Sequence, residues 1–177
     1  DREDLLRRIR YTRMWCREAE QDWPGVVAAG KSFLQAWPQA ELSAQVQMKV
    51  ADAYFRQEDF ANALTLFELV AQDFPKSDYA EAALFFAGRS AMNLMSNEGA
   101  EKAIELWEEV AAREGPLAFS ARLQQAYAKR RQGKEEEAVK VIDTLLAEPN
   151  LDSQTRWSLT CEKAELQLLL GAKNPER

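Results

Sequence analysis

The sequence predicts an all-α protein, a right-handed superhelix of alternating A and B helices, about nine in all. Three observations carry that expectation. Apolar residues recur at i, i+3, i+4 and i+7, the spacing that buries one face of a helix. The chain repeats itself: Trp23 to Pro38 reads WPGVVAAGKSFLQAWP, Phe60 to Pro75 reads FANALTLFELVAQDFP, and every position is displaced by the same 37 residues. No run alternates with the period of a strand between turn signals, so no sheet is expected.

The helices follow in order. Residues 3–19 carry the stripe Leu5, Ile9, Thr12, Cys16 and Ala19, and the B helix after them carries Val26, Val27, Phe33 and Trp37. Residues 41–56 carry Val46, Val50, Ala53 and Tyr54, and their B helix matches the first with Ala63, Leu64, Val70 and Phe74. Residues 78–94 contribute Ala83, Leu84, Ala87, Gly88 and Ala91, followed by Ala100, Ala103, Ile104, Trp107 and Val110. Residues 117–131 contribute Leu123, Ala126 and Tyr127, followed by Ala138, Val139, Ile142 and Leu145. The last helix, 153–170, has Trp157, Cys161, Ala164 and Leu168 in its stripe. Asp59, Ser77 and Asp152 stand where side chains cap helix N-termini. Pro38, Pro75 and Pro149 stop the shorter helices, and Gly133 and Gly171 are placed to end longer ones. The repeats therefore run 3–38, 40–75, 77–115, 116–149 and, in part, 151–177, as one domain. Asn174-Pro175-Glu176 reads as the start of another helix, so a longer parent protein is expected.

Composition narrows the function. With 46% hydrophobic residues, 7 glycines and 6 prolines in 177, the chain is neither disordered nor collagen-like. It has no histidine, which removes His-dependent triads and the common zinc sites. A net charge of −6 speaks against a dedicated nucleic-acid binder. No apolar run is long enough to span a bilayer. The two cysteines, Cys16 and Cys161, are far apart in the chain, form no ligand cluster, and are expected to pack in the core rather than pair. Metal ions and cofactors are not expected.

The residue pattern resembles the tetratricopeptide-repeat (TPR) family. That family's unit favours a small residue and an aromatic in its first helix, an alanine and an aromatic in its second, and a closing proline. The second repeat supplies Ala51, Tyr54, Ala63, Phe67 and Pro75, and the third Gly88, Ala103 and Trp107. The fourth has Ala126 and Ala138 but Lys129 in place of an aromatic, and the first has Gly30 where its second aromatic belongs. The joint Phe74-Pro-Lys-Ser-Asp-Tyr-Ala-Glu-Ala-Ala-Leu84 is similar to those of two bacterial cell-envelope families, the Tol–Pal coordinator and the barrel-assembly lipoprotein. The resemblance implies a non-catalytic scaffold in the periplasm or cell envelope, with the cytoplasm as the alternative.

It also implies a concave face lined by the A helices. Arg8, Tyr11 and Trp15 would point into it from the first. Gln45, Met48, Asp52 and Phe55 would follow, then Ala82, Phe85, Arg89 and Met92, then Ser120, Leu123, Tyr127 and Arg130. Large apolar groups with arginines are the makings of a partner surface. The partner-binding set is Tyr11, Trp15, Met48, Asp52, Phe55, Phe85, Arg89, Met92, Tyr127 and Arg130, receiving a peptide segment or helix. The alternative is that superhelical twist buries these groups between neighbouring A helices, and full burial of Phe85, Arg89 and Tyr127 would rule the groove out. A carboxylate clamp is not expected, since only Lys49 has the right type and Asp52 would repel the ligand. A rival function is a structural spacer or oligomerisation segment, self-associating through Leu166, Leu168, Leu169 and Leu170 of the last helix.

The charge runs read as solvated flanks. Arg7, Arg8, Arg10, Arg13 and Arg17 crowd the first helix, with Arg10, Arg13 and Arg17 on one side of it. Glu101, Glu105, Glu108, Glu109, Glu114 and Glu135–Glu137 are expected to face water, and Lys129, Arg130 and Arg131 to form a solvated helix end.

Overall fold

The computed structural model describes residues 2–173, and all of its regular structure is helical. Nine helices occur among the described residues: α1 (Arg2–Ala19), α2 (Trp23–Ala36), α3 (Ser43–Arg56), α4 (Phe60–Asp73), α5 (Ala80–Asn93), α6 (Asn97–Ala112), α7 (Ala118–Arg131), α8 (Glu135–Leu146) and α9 (Ser153–Lys173). Two compact units are formed, residues 1–94 and residues 95–177. Within each, every helix packs on the next in sequence: α1 to α5 in the first unit, α6 to α9 in the second.

The turn from each A helix to its B helix is built the same way. One residue takes the left-handed conformation, Gln21 (φ 56°), Glu58 (61°), Met95 (57°) and Gly133 (70°) in turn. The next residue caps the B helix. Asp22, Asp59 and Ser96 accept bonds from the amides of Gly25, Asn62 and Gly99, taking up donors that the helix itself cannot satisfy. Lys134 has no capping side chain; instead Glu135, Glu136 and Glu137 bring negative charge to that helix end.

In the first unit Met14, Val26, Phe33, Val46 and Ala53 form a buried cluster, with Tyr11, Trp15, Trp23 and Trp37 packed around it. Phe67 is buried farther along and stacks on Phe86, ring centres 5.7 Å apart. Gly30, the departure from the repeat pattern, is itself buried. A Cβ there would meet Val50 Cγ2 at 2.2 Å, so α2 and α3 approach too closely for the aromatic the repeat would place there. In the second unit Ala126, Ala138, Ile142, Leu145, Leu159 and Leu166 form the cluster.

Several expectations are overturned. The stripes read as core in the terminal helices face outward: Leu5, Ile9, Thr12, Cys16 and Ala19 of α1 are exposed, and so are Trp157, Cys161, Ala164 and Leu168 of α9. The buried side of α1 is Met14 with Tyr11 and Trp15, and that of α9 is Leu159 and Leu166. Neither cysteine is in the core. Each end helix has two apolar sides, and the repeat packing covers only one of them.

Smaller corrections follow. The Ser77 hydroxyl donates to the carbonyl of Phe74 instead of capping α5, which starts three residues later. Gly171 lies inside α9. Glu135 is buried. Lys129 and Arg130 are not a loose solvated end: Lys129 pairs with Glu137 at 2.7 Å, and Arg130 with both Glu162 and Glu165. Asn174, Pro175 and Glu176 lie outside the described residues.

Candidate functional site: an aromatic–arginine pocket

The C-terminal ends of α3 and α5 and the starts of α2 and α4 meet around a cleft of about 850 Å³ in the first unit. Its walls include Trp23, Asp52, Phe55, Arg56, Phe60, Phe86 and Arg89. Helix period puts Asp52, Phe55 and Arg56 on one edge of α3, and the capped turn at Glu58-Asp59 swings Phe60 back beneath them. Phe55 and Phe60 meet edge to face with centres 5.2 Å apart.

Both arginines rest on rings. The Arg56 guanidinium lies 5.0 Å from the centre of Trp23 and bonds Asp52 at 3.0 Å. Arg89 lies 5.4 Å from Phe55 and 5.5 Å from Phe86, is exposed, and has no carboxylate partner among the described residues. A guanidinium stacked this way is positioned by its face while its edge remains free to donate hydrogen bonds. The arrangement can hold an apolar side chain against Phe55 and Phe60 and a carboxylate or peptide carbonyl against Arg89.

Three of the residues expected to bind a partner, Asp52, Phe55 and Arg89, are brought together here. The others are not. Tyr11 is half-buried, donates from its hydroxyl to Gln45 Oε1 at 2.9 Å and meets Trp15 edge to face. Trp15 carries the ammonium of Lys49 at 4.5 Å from its ring centre, and its indole N–H is buried with no acceptor among the described residues. Lys49 is committed to Glu18, at 2.6 Å. Met48, Phe85 and Met92 are half-buried, and Phe85 meets Phe86 edge to face. In the second unit Tyr127 is 38% exposed. Its hydroxyl pKa is raised by burial and by Glu162, with Arg130 working the other way. The Arg130 pKa is raised by its bond to Glu162 and the charge behind it.

Trp23, Arg56, Phe60 and Phe86 were not among the expected binding residues. A signal for two of them was present, since Trp23 and Phe60 are equivalent residues of consecutive repeats. Their place at the rim of an A helix became visible only once the turns were built. No group of acidic or cysteine side chains fit to hold a metal occurs among the described residues.

Comparison with known proteins agrees with this architecture. Residues 11–148 match the YfiO family, described as outer membrane lipoprotein. The chain belongs to the YfiO family. No curated protein matches it. Among solved structures it is similar to a putative kinesin light chain of Podosopora anserina with nearly identical TPR-like repeats, at 18% identity and a TM-score of 0.69, covering 95% of this chain and 88% of that one. It is also similar to the MamA protein, at 14% identity and a TM-score of 0.66, covering 80% and 72%. At such identities the likeness is one of fold, a TPR-like helical solenoid. No helix among the described residues is long and apolar enough to cross a membrane.

Proposed function

We propose that this YfiO-family chain is a non-catalytic scaffold of a bacterial envelope assembly, located in the periplasm, that binds a peptide segment or helix of a partner protein on its concave face. The aromatic–arginine pocket of the first unit is the anchor point, and one observation carries that reading: Arg89 stands exposed on two rings with its hydrogen-bonding edge unspent. Aromatic and arginine side chains in a partly enclosed pocket are the residues that dominate interface energies. A prebuilt helical wall adds to affinity because little of it has to be ordered on binding. Tyr11, Met48, Phe85 and Met92 of the same unit extend the contact surface beyond the anchor. The bound segment carries an apolar or aromatic side chain with a carboxylate nearby.

Selection of displayed peptides on the intact chain tests this. Ligands recovered should carry that pair of groups and should lose at least ten-fold in affinity with Phe55→Ala and with Arg89→Ala, while Glu101→Ala, on an exposed face of α6, leaves binding unchanged. Ligands that bind both pocket variants as tightly as the parent would overturn the assignment.

A further inference from the structure

The charged side chains that line the aromatic–arginine pocket are of two kinds. Asp52 and Arg56 neutralise each other at 3.0 Å, with Arg56 over the Trp23 ring. Arg89 and Glu58 neutralise nothing. Arg89 rests on Phe55 and Phe86, and Glu58 is exposed, with no hydrogen bond or ion pair to its carboxylate among the described residues.

These two unspent charges come from different elements. Arg89 stands near the end of α5, and Glu58 stands in the turn between α3 and α4. Phe55 carries Arg89 and meets Phe60, which follows Glu58 by two residues. A ligand side chain laid on Phe55 and Phe60 therefore has a cation on its α5 side and an anion at the α3–α4 turn.

Glu58 has no duty in building that turn. The Glu58 amide donates to the Phe55 carbonyl at 3.0 Å, the Asp59 amide donates to the Tyr54 carbonyl at 3.0 Å, and the Asp59 side chain caps α4. The Glu58 backbone is left-handed (φ 61°), a conformation that the equivalent turn of the fourth repeat gives to Gly133. A side chain is unfavourable there, so glycine would serve the fold better at this position. What the glutamate adds is a carboxylate at the rim of the pocket.

We infer that the pocket reads two charges, with Glu58 as its specificity-determining residue. The bound segment carries a lysine or arginine on the Glu58 side of its apolar anchor and its carboxylate on the Arg89 side. This rests on the peptide-binding role proposed for the pocket and adds direction to it. A segment laid the other way round, or one with acids on both sides, meets repulsion at Glu58. Because Glu58 is exposed, its effect on affinity is a few-fold, smaller than that of the aromatic anchor.

Peptide display on the intact chain, followed by a double-mutant cycle, tests it. Ligands recovered on the parent should carry the base on one fixed side of the apolar residue and the acid on the other. Exchanging that base for Gln, or Glu58→Gln in the protein, should each weaken binding about three- to five-fold. Both changes together should cost no more than either alone, because they remove the same interaction. Selection on Glu58→Lys should recover an acid in place of the base. Glu58→Gly should melt higher than the parent yet lose the same three- to five-fold, which separates weaker binding from unfolding.

Additive losses in the cycle, or parent ligands with no base on a fixed side, would overturn the inference. If those ligands still need Phe55 and Arg89, the peptide pocket itself stands. Ligands indifferent to Phe55→Ala and Arg89→Ala, or a selection that recovers none, would remove the pocket and this inference with it.

Discussion

The two units meet the same demand, holding stacked helices together, with different chemistry. The first seats its cations on rings: Arg10 on Trp37, Lys31 on Tyr54, Lys49 on Trp15, Arg56 on Trp23 and Arg89 on Phe55. Its core is aromatic, built on Phe33 and Phe67. The second has an aliphatic cluster and ties its helices with carboxylates. Lys129 reaches Glu137, Arg130 reaches Glu162 and Glu165, Lys163 reaches Asp143, and Arg122 reaches Glu148. Stacking on a ring does not by itself use the hydrogen-bonding edge of a cation: Lys49 and Arg56 spend theirs on Glu18 and Asp52 and Arg10 on the Ser32 carbonyl, while Arg89 keeps its own. Arg130, expected to bind a partner, is engaged with Glu162 and Glu165 within the second unit.

Five measurements would break or sharpen this contrast. The largest effect falls on the aromatic core: Phe67→Ala should destabilise the first unit by about 4 kcal/mol in urea unfolding, because a fully buried ring leaves a cavity. If the second unit, followed by hydrogen exchange, lost as much protection, the two would not be separable bodies energetically. Next comes the close approach of α2 and α3. Gly30→Ala should cost about 2 kcal/mol, since the added methyl meets Val50 at 2.2 Å and one helix has to shift.

The turns come third. Glu58→Gly should raise stability by up to about 1 kcal/mol, and Gly133→Ala should lower it by about 1 kcal/mol, because a side chain is unfavourable in the left-handed conformation that both positions adopt. A fourth and smaller effect separates the two kinds of cation. Arg130→Ala should cost about 0.5–1 kcal/mol at low ionic strength and markedly less near 1 M salt, since its partners are partly exposed and screened.

The smallest effect is one of pH. The Asp152 carboxyl is held below its ordinary 3.8 by the Thr155 hydroxyl and by backbone amides at the start of α9. Its stabilisation is therefore complete above that ordinary value and disappears as pH falls through the lowered one. Asp152→Asn should flatten this acid limb in thermal melts of the second unit.

Much of the architecture was legible in the chain itself. Helix positions came within about three residues of those observed, because periodic burial and the proline stops are local signals. Asp59 and Asp152 were readable as caps for the same reason. Asp22 and Ser96 are equivalent to Asp59, one repeat to either side, and the 37-residue displacement was enough to find them. Of the residues lining the pocket, Asp52, Phe55 and Arg89 could be reached from repeat register. Trp23 and Phe60 were legible only as equivalent residues of the repeat, and Arg56 and Phe86 not at all, because their meeting depends on turns that reverse the chain.

By itself the sequence determined the class of fold, the order of helices, the repeat and the family it resembles, since each follows from spacing along one chain. Only the tertiary structure decided which face of each end helix is covered. Helix α1 offers Leu5, Ile9 and Cys16 on one side and Tyr11, Met14 and Trp15 on the other, and both sides are apolar enough to bury. Periodicity shows that a helix has an apolar face; what lies against that face is settled by the shape of its neighbours, here Val26 and Phe33 of α2 closing over Met14.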